Sequence, residues 1–365
     1  LHLLGNGKKH YKMKKIFFIL FSLFLVSYAY SKDKNVVVAS TIRLPEQEIL
    51  YNDGIDYLVG GEYEEAVAKF TSAITIDNKF ANAYYNRAVA YYSLNKYSKA
   101  NADIETALEL IPEEQSADCH ILKGKILYST GNISMAKDEL DKALSLNPAS
   151  VNAQMDKGAI FQISKEYDKA IDIFSKLNYK TGGTAKTYNE LGICYNNSGN
   201  YFAAYECFKK AYKADSTNEL VKYNMALASW KVNKDTLNAI RTLDELINKN
   251  LENPDYYTAK GYILYQANLI SQADYNFDNA IKINKNMASA YVGKALVALS
   301  NGLYKDASTF CDIAIEINTN YGEAYLNRGI AKEWLEDYSG ACDDFSKASE
   351  LGVKNAKDYY TRQCK

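Results

Sequence analysis

The stretch ANAYYNRAVAYYSLNKYSKANADIETALELIPEE, residues 81–114, states in full a 34-residue pattern that the rest of the chain repeats with errors. It holds two amphipathic helical patterns. Tyr84, Ala88 and Tyr91 fall on one face at i, i+4, i+7, and Ala100, Ile104 and Ala107 do the same in the second half. Asn95 and Lys96 make the turn between them. Pro112 stops the second helix, because proline has no amide hydrogen to give and pushes the preceding residue out of the helical region.

Small residues at fixed offsets set how such a pair packs. In an antiparallel hairpin Ala88 and Ala100 face each other across the turn, and side chains that short let the two backbones approach closely. The same ruler finds Gly54, Ala88, Gly124, Gly158, Gly192, Ala226, Gly261, Ala295 and Gly329 at the first small position. At the second it finds Ala66, Ala100, Ala136, Ala170, Ala204, Ala239, Ala273, Ala307 and Ala341, with one extra residue needed to reach Ala239. Four residues on stand Phe70, Ile104, Leu140, Phe174, Phe208, Leu243, Phe277, Cys311 and Phe345, a row of large or apolar groups that wedge between successive hairpins.

The period, the glycine or alanine of the first helix, the alanines and aromatic of the second, and the Pro112 and Pro148 stops resemble tetratricopeptide repeats. The resemblance covers about residues 47–352. It implies an all-α chain: a right-handed α-solenoid of about nine helix-turn-helix repeats with a C-terminal capping helix. The repeats fall at 47–80, 81–114, 117–150, 151–184, 185–218, 219–253, 254–287, 288–321 and 322–352. The cap follows at 353–365, where Ala356, Tyr359 and Tyr360 form one more helical pattern that covers the exposed face of the ninth repeat.

Two repeats depart from the pattern. The fourth has Leu177 where alanine is usual and ends in YKTGGT, so its second helix is expected to stop early at Gly182 and Gly183, since glycine is costly in a helix. The sixth is a hinge or a drifted unit. Lys222, Ser229 and Asp235 stand at positions that are aromatic or apolar elsewhere, and drift fits better, because polar residues at such positions more often face solvent.

Composition narrows the function classes. Of 365 residues, 47% are apolar, and the 32 tyrosines are largely absorbed by the packing positions of the repeat. Lys and Arg total 43 against 44 Asp and Glu, so there is no basic surplus for phosphates and nucleic acid is not an expected partner. The acids read as ordinary charged helix surface.

From Met13 the chain runs MKKIFFILFSLFLVSYAYSKDK: two lysines, an apolar run from Ile16 to Val26, then Ala29 and Ser31 as the small residues before a cleavage point. The run is shorter than the ~20 residues that span a bilayer, which favours a cleaved secretory signal over an anchor and predicts no stable membrane insertion. Residues 1–12 carry no initiator methionine. Removing residues 1–31 takes away five lysines and no acid, leaving 38 basic against 44 acidic residues, a charge of −6. Residues 32–46 read as a short tether, and the mature chain is expected to be periplasmic or secreted.

Candidate chemistry is thin. Of the three histidines, only His120 lies beyond the leader, in a slot that other repeats fill with tyrosine, so a packing role is expected. Gly182 and Gly183 lack the flanks of a phosphate loop. The six cysteines include no CxxC pair, so no metal or other cofactor is expected. Cys311 reads as a small apolar core group, and Cys194 and Cys207 flank the turn of the fifth repeat. Cys342 and Cys364 lie on helical patterns about equally far from the turn at Gly352, so antiparallel packing of the cap predicts a disulfide between them.

Through the resemblance, the inner surface is made by first-helix residues beside the packing positions. Those slots hold Tyr51, Tyr85, Tyr92, Tyr128, Tyr223, Trp230, Tyr262, Tyr265 and Trp334, although several of these rings also suit burial between repeats. The family's carboxylate clamp uses lysines and an arginine there and is not expected here. These features imply a non-enzymatic scaffold of the cell envelope that binds a peptide segment or partner protein. The alternative is a glycan-binding envelope protein using the same aromatic slots.

Overall fold

A computed structural model of the chain describes residues 44–364. Among these residues there are nineteen α-helices, one 3-10 turn at Glu113–Gln115 and no strand. The helices are α1 Glu46–Gly60, α2 Tyr63–Ile76, α3 Ala81–Ser93, α4 Tyr97–Leu110, α5 Ala117–Ser129, α6 Ile133–Leu146, α7 Val151–Ile163, α8 Tyr167–Thr181, α9 Ala185–Asn197 and α10 Tyr201–Ala214. Then follow α11 Glu219–Asn233, α12 Thr236–Lys249, α13 Pro254–Gln266, α14 Ile270–Ile283, α15 Ala288–Ser300, α16 Tyr304–Ile317, α17 Gly322–Trp334, α18 Tyr338–Glu350 and α19 Ala356–Gln363. Odd-numbered helices up to α17 open a hairpin and even-numbered ones close it. Each hairpin packs on its neighbours, which makes an α-solenoid.

The turn inside each hairpin is built the same way nine times. One residue takes a left-handed backbone: Gly61, Asn95, Gly131, Lys165, Gly199, Lys234, Asn268, Gly302 and Glu336. This reverses the chain in a few residues and hands the second helix its first turn. Between hairpins the stop is an extended residue, such as Ile111 ahead of Pro112.

The core is a stack of size-matched pairs. A Cβ added at Gly54 would lie 2.6 Å from the Phe70 ring, and at Gly192, Gly261 and Gly329 the same distance separates it from Phe208, Phe277 and Phe345. At Gly158 the clash with Phe174 is as close, and at Gly124 the smaller Leu140 stands 3.1 Å off. Where the first helix carries alanine instead, at Ala88, Ala226 and Ala295, the partner is Ile104, Leu243 or Cys311. Every phenylalanine of the row therefore faces a glycine. All of these groups are buried.

Several expectations are corrected. The second helix of the fourth repeat does not stop early: α8 has 15 residues, one more than most second helices, and Gly182 ends it as a left-handed cap. Glycine is costly inside a helix but favourable just past its end. In the sixth repeat the additional residue is absorbed by a 15-residue α11. There Ser229 is buried at 8% exposure and its Oγ accepts from Asn233 Nδ2, rather than facing solvent. Lys222 reaches Glu245 at 2.5 Å, and Asp235 is exposed and caps α12. Cys194 and Cys207 are both free and buried, in one core cluster.

Nor are the acids all solvent surface. Asp103, Glu139 and Asp344 are buried. Asp103 takes two hydrogen bonds of 2.7 Å from Arg87, and Asp344 is held by Arg328 at 2.6 Å and Lys332 at 2.8 Å. His120 packs half-buried, and its Nδ1 lies 2.6 Å from Glu139 Oε2. The signal and most of the tether lie outside the described residues.

Candidate partner-binding groove

The first helices of successive repeats stand side by side, α3 against α5, α5 against α7 and so on to α17, more loosely between α11 and α13, where the Tyr223 and Tyr256 rings meet at 5.4 Å, so their unburied residues share one face of the solenoid. Two hollows of about 300 Å³ open on that face. The first lies between α3, α5 and α7, where Tyr92, Tyr128, Ile160 and Ile163 form apolar walls around Lys125 and Asp156. The second lies between α11, α13 and the start of α15, with Tyr223, Leu227, Trp230, Tyr262 and Met287 around Lys231 and Asp255.

Charge in the hollows is sparse and specific. Lys125 Nζ stands 3.3 Å from Asp156 Oδ2, an oxygen shielded from solvent that receives no hydrogen bond. Burial pushes the Asp156 carboxyl up, against the opposing pull of Lys125. Lys231 has no carboxylate within ion-pair distance among the described residues. Its Nζ lies 4.4 Å from the centre of the Tyr201 ring and donates to Asn196 Oδ1 at 3.3 Å, and burial lowers its pKa.

Five of the nine aromatic residues expected in the groove line these hollows: Tyr92, Tyr128, Tyr223, Trp230 and Tyr262. The innermost of them are partly core. Burial raises the phenols of Tyr223 and Tyr262, and the Tyr262 hydroxyl donates to the Ser289 carbonyl at 2.7 Å. The other four line neither hollow. Tyr51 packs against Phe70 and Phe80 and accepts from Asn86 Nδ2. Tyr85 belongs to the core of the second repeat, where burial first and the charge of Asp118 second push its phenol up to about 12. Tyr265 bonds Ser300 at 2.9 Å, and Trp334, 64% exposed, stacks flat on Tyr304 with centroids 5.1 Å apart.

Ile160, Ile163, Leu227, Met287, Lys125, Asp156 and Lys231 were not anticipated as lining residues. The signal for two of them was present: Lys125 and Leu227 stand three residues before Tyr128 and Trp230, one helical turn along the same face. No group of His, Cys, Asp and Glu suited to a metal occurs among the described residues.

Family models for the tetratricopeptide repeat match residues 81–114, 117–150 and 185–218, and one for the TPR repeat matches 54–95. The chain is a tetratricopeptide repeat protein. Its relatives include RNA polymerase II-associated protein 3 of Xenopus laevis, 27% identical over 215 residues that are 53% of this chain and 31% of that one. The Hsp70-Hsp90 organising protein of Plasmodium falciparum is 28% identical over 187 residues, 47% of this chain and 30% of the other. The chain thus spans about a third of the length of these curated relatives.

Among solved structures, the C-terminal part of a TPR repeat-containing protein from Cytophaga hutchinsonii is 22% identical with a TM-score of 0.51, covering 67% of this chain and 98% of that one. Yeast Tom70 is 15% identical with a TM-score of 0.51, covering 87% and 88%. At these identities the likeness is one of fold. Tetratricopeptide repeat proteins generally mediate protein–protein interaction.

Proposed function

We propose that this chain is a non-enzymatic scaffold of the cell envelope that binds an extended protein segment along the face made by its first helices. The observation that carries the reading is the pair of apolar hollows, each bounded by three successive first helices and each floored by aromatic rings with few charges. Aromatic side chains offer large contact area with few rotors to freeze, which is why they dominate binding hot spots. Such a groove selects segments with apolar or aromatic side chains, and its affinity changes little with added salt, unlike that of a charge clamp.

Export rests on residues 13–31, read as a cleaved signal. Mass spectrometry of the protein from its native host is expected to find Lys32 at the terminus, and an intact Met13 in the cytoplasm contradicts export. A pull-down from envelope extract with the mature chain identifies the bound segment. Recovery of no protein partner counts against the scaffold.

A second reading, glycan binding, is favoured by Trp334. Its exposed ring, backed by Tyr304, offers a flat apolar surface of the kind on which a sugar ring stacks. Parallel peptide and glycan arrays separate the two readings.

A further inference from the structure

We infer that α19 is an oxidation-dependent cap: the Cys342–Cys364 disulfide holds it against the last hairpin, and reduction releases it. Within the solenoid each second helix is covered by the next first helix, as when Gly293 of α15 closes over the Phe277 ring of α14. Beyond α18 that cover is α19, which has eight residues where most first helices have 13.

Besides the covalent bond, α19 is held by its packing on α18. Ala356 is the one buried residue of α19, and the Asn355 side chain makes no capping hydrogen bond. The Tyr359 ring lies on Phe345, with centroids 5.3 Å apart, and Tyr360 is half-buried. A helix this short is well below the ~12–15 residues at which isolated helices become even marginally stable in water. The disulfide ties its far end down, with the two Cα atoms 5.6 Å apart across 22 residues of sequence.

The remaining cysteines confine the response to this bond. Cys119, Cys194, Cys207 and Cys311 are free and buried, and burial pushes their thiols up to about 11 or 12. They are almost wholly protonated at neutral pH and so are poor nucleophiles. Cys342 and Cys364 are only half-buried, within reach of a small dithiol. One thiolate of the dithiol attacks a sulfur of the bond, giving a mixed disulfide and one free cysteine thiolate. The second thiolate then closes the reductant's own disulfide and releases the other cysteine, so two electrons and two protons pass to the protein. Release of α19 uncovers the side of Phe345 on which Tyr359 lies.

Hydrogen exchange of the full chain, with and without dithiothreitol, tests this, with the two new thiols counted by alkylation and mass. Amides of residues 356–363 are expected to exchange at least tenfold faster after reduction, while those of α1 to α17 keep their protection. The Cys342→Ser, Cys364→Ser double variant is expected to show the fast pattern under both conditions. Unchanged protection of 356–363 in the reduced protein and in the variant overturns the proposal, since α19 is then held by packing. So does loss of protection throughout the solenoid, or finding both thiols free in oxidised protein.

Discussion

At Gly192 and Phe208 one missing methyl group decides how closely two helices meet. The ring occupies the space a Cβ would need, so Gly192→Ala is expected to destabilise by about 1–3 kcal/mol, the usual cost of overpacking. Shortening the partner relieves it. Gly192→Ala with Phe208→Leu, which recreates the Ala226–Leu243 pairing already present in the sixth repeat, is expected to cost clearly less than the two single changes added together, by denaturant midpoint. Strict additivity would mean that the pair is not coupled. Both rows of residues are visible in the sequence, but as independent rows. Their matching depends on which groups touch, which spacing alone does not reveal. The same holds for Asp103, Glu139 and Asp344, which look like surface charges until Arg87, His120 and Arg328 are found beside them.

Glu139 adds a pH dependence with a definite sign. Burial pushes its carboxyl up, but the hydrogen bonds from His120 and Lys142, helped by the charges of Lys123 and Lys142, outweigh burial and hold it below the usual glutamate range. A depressed acid stabilises the fold fully above its unfolded value, about 4.3, and the stabilisation is lost as pH falls through the lower folded value. Glu139→Gln is therefore expected to be less stable than the parent at pH 7, and the gap is expected to close on acidification below about pH 4. A gap that stays constant down to pH 3 would show that the effect is one of packing.

At the level of elements, helix positions follow from the apolar period, and the turns follow from a left-handed residue that the sequence discloses only in part. Six of the nine are glycine or asparagine, residues that tolerate this backbone, whereas Lys165, Lys234 and Glu336 give no local sign. A left-handed residue with a side chain costs about 1–2 kcal/mol, and glycine returns part of that in unfolded-state entropy. Glu336→Gly is accordingly expected to stabilise by about 0.5–1 kcal/mol, read as a raised denaturant midpoint. The end of α8 was misjudged for a related reason. A glycine pair reads equally as a break inside a helix or as a cap beyond it, and the packing of Phe174 and Leu177, both buried, carries the helix through to Thr181.

Over the whole molecule, contacts between neighbouring hairpins build the solenoid and bring residues from three repeats to one hollow, as Tyr92, Tyr128 and Ile163 show. That convergence explains how much of the groove was legible. Tyrosines and tryptophans at first-helix offsets were visible, but whether a ring such as Tyr85 turns inward to its own core or outward to a hollow depends on the size of its neighbours. The central claim is that Tyr92 and Trp230, one in each hollow, hold the partner. Its most direct test is the affinity of the captured segment for the Tyr92→Ala, Trp230→Ala variant, measured by titration calorimetry beside the parent protein. Two hot-spot losses of about 2 kcal/mol each predict binding weakened by roughly a thousandfold, with a melting temperature close to the parent's. Unchanged affinity, or weakened binding accompanied by a large fall in melting temperature, would contradict the claim.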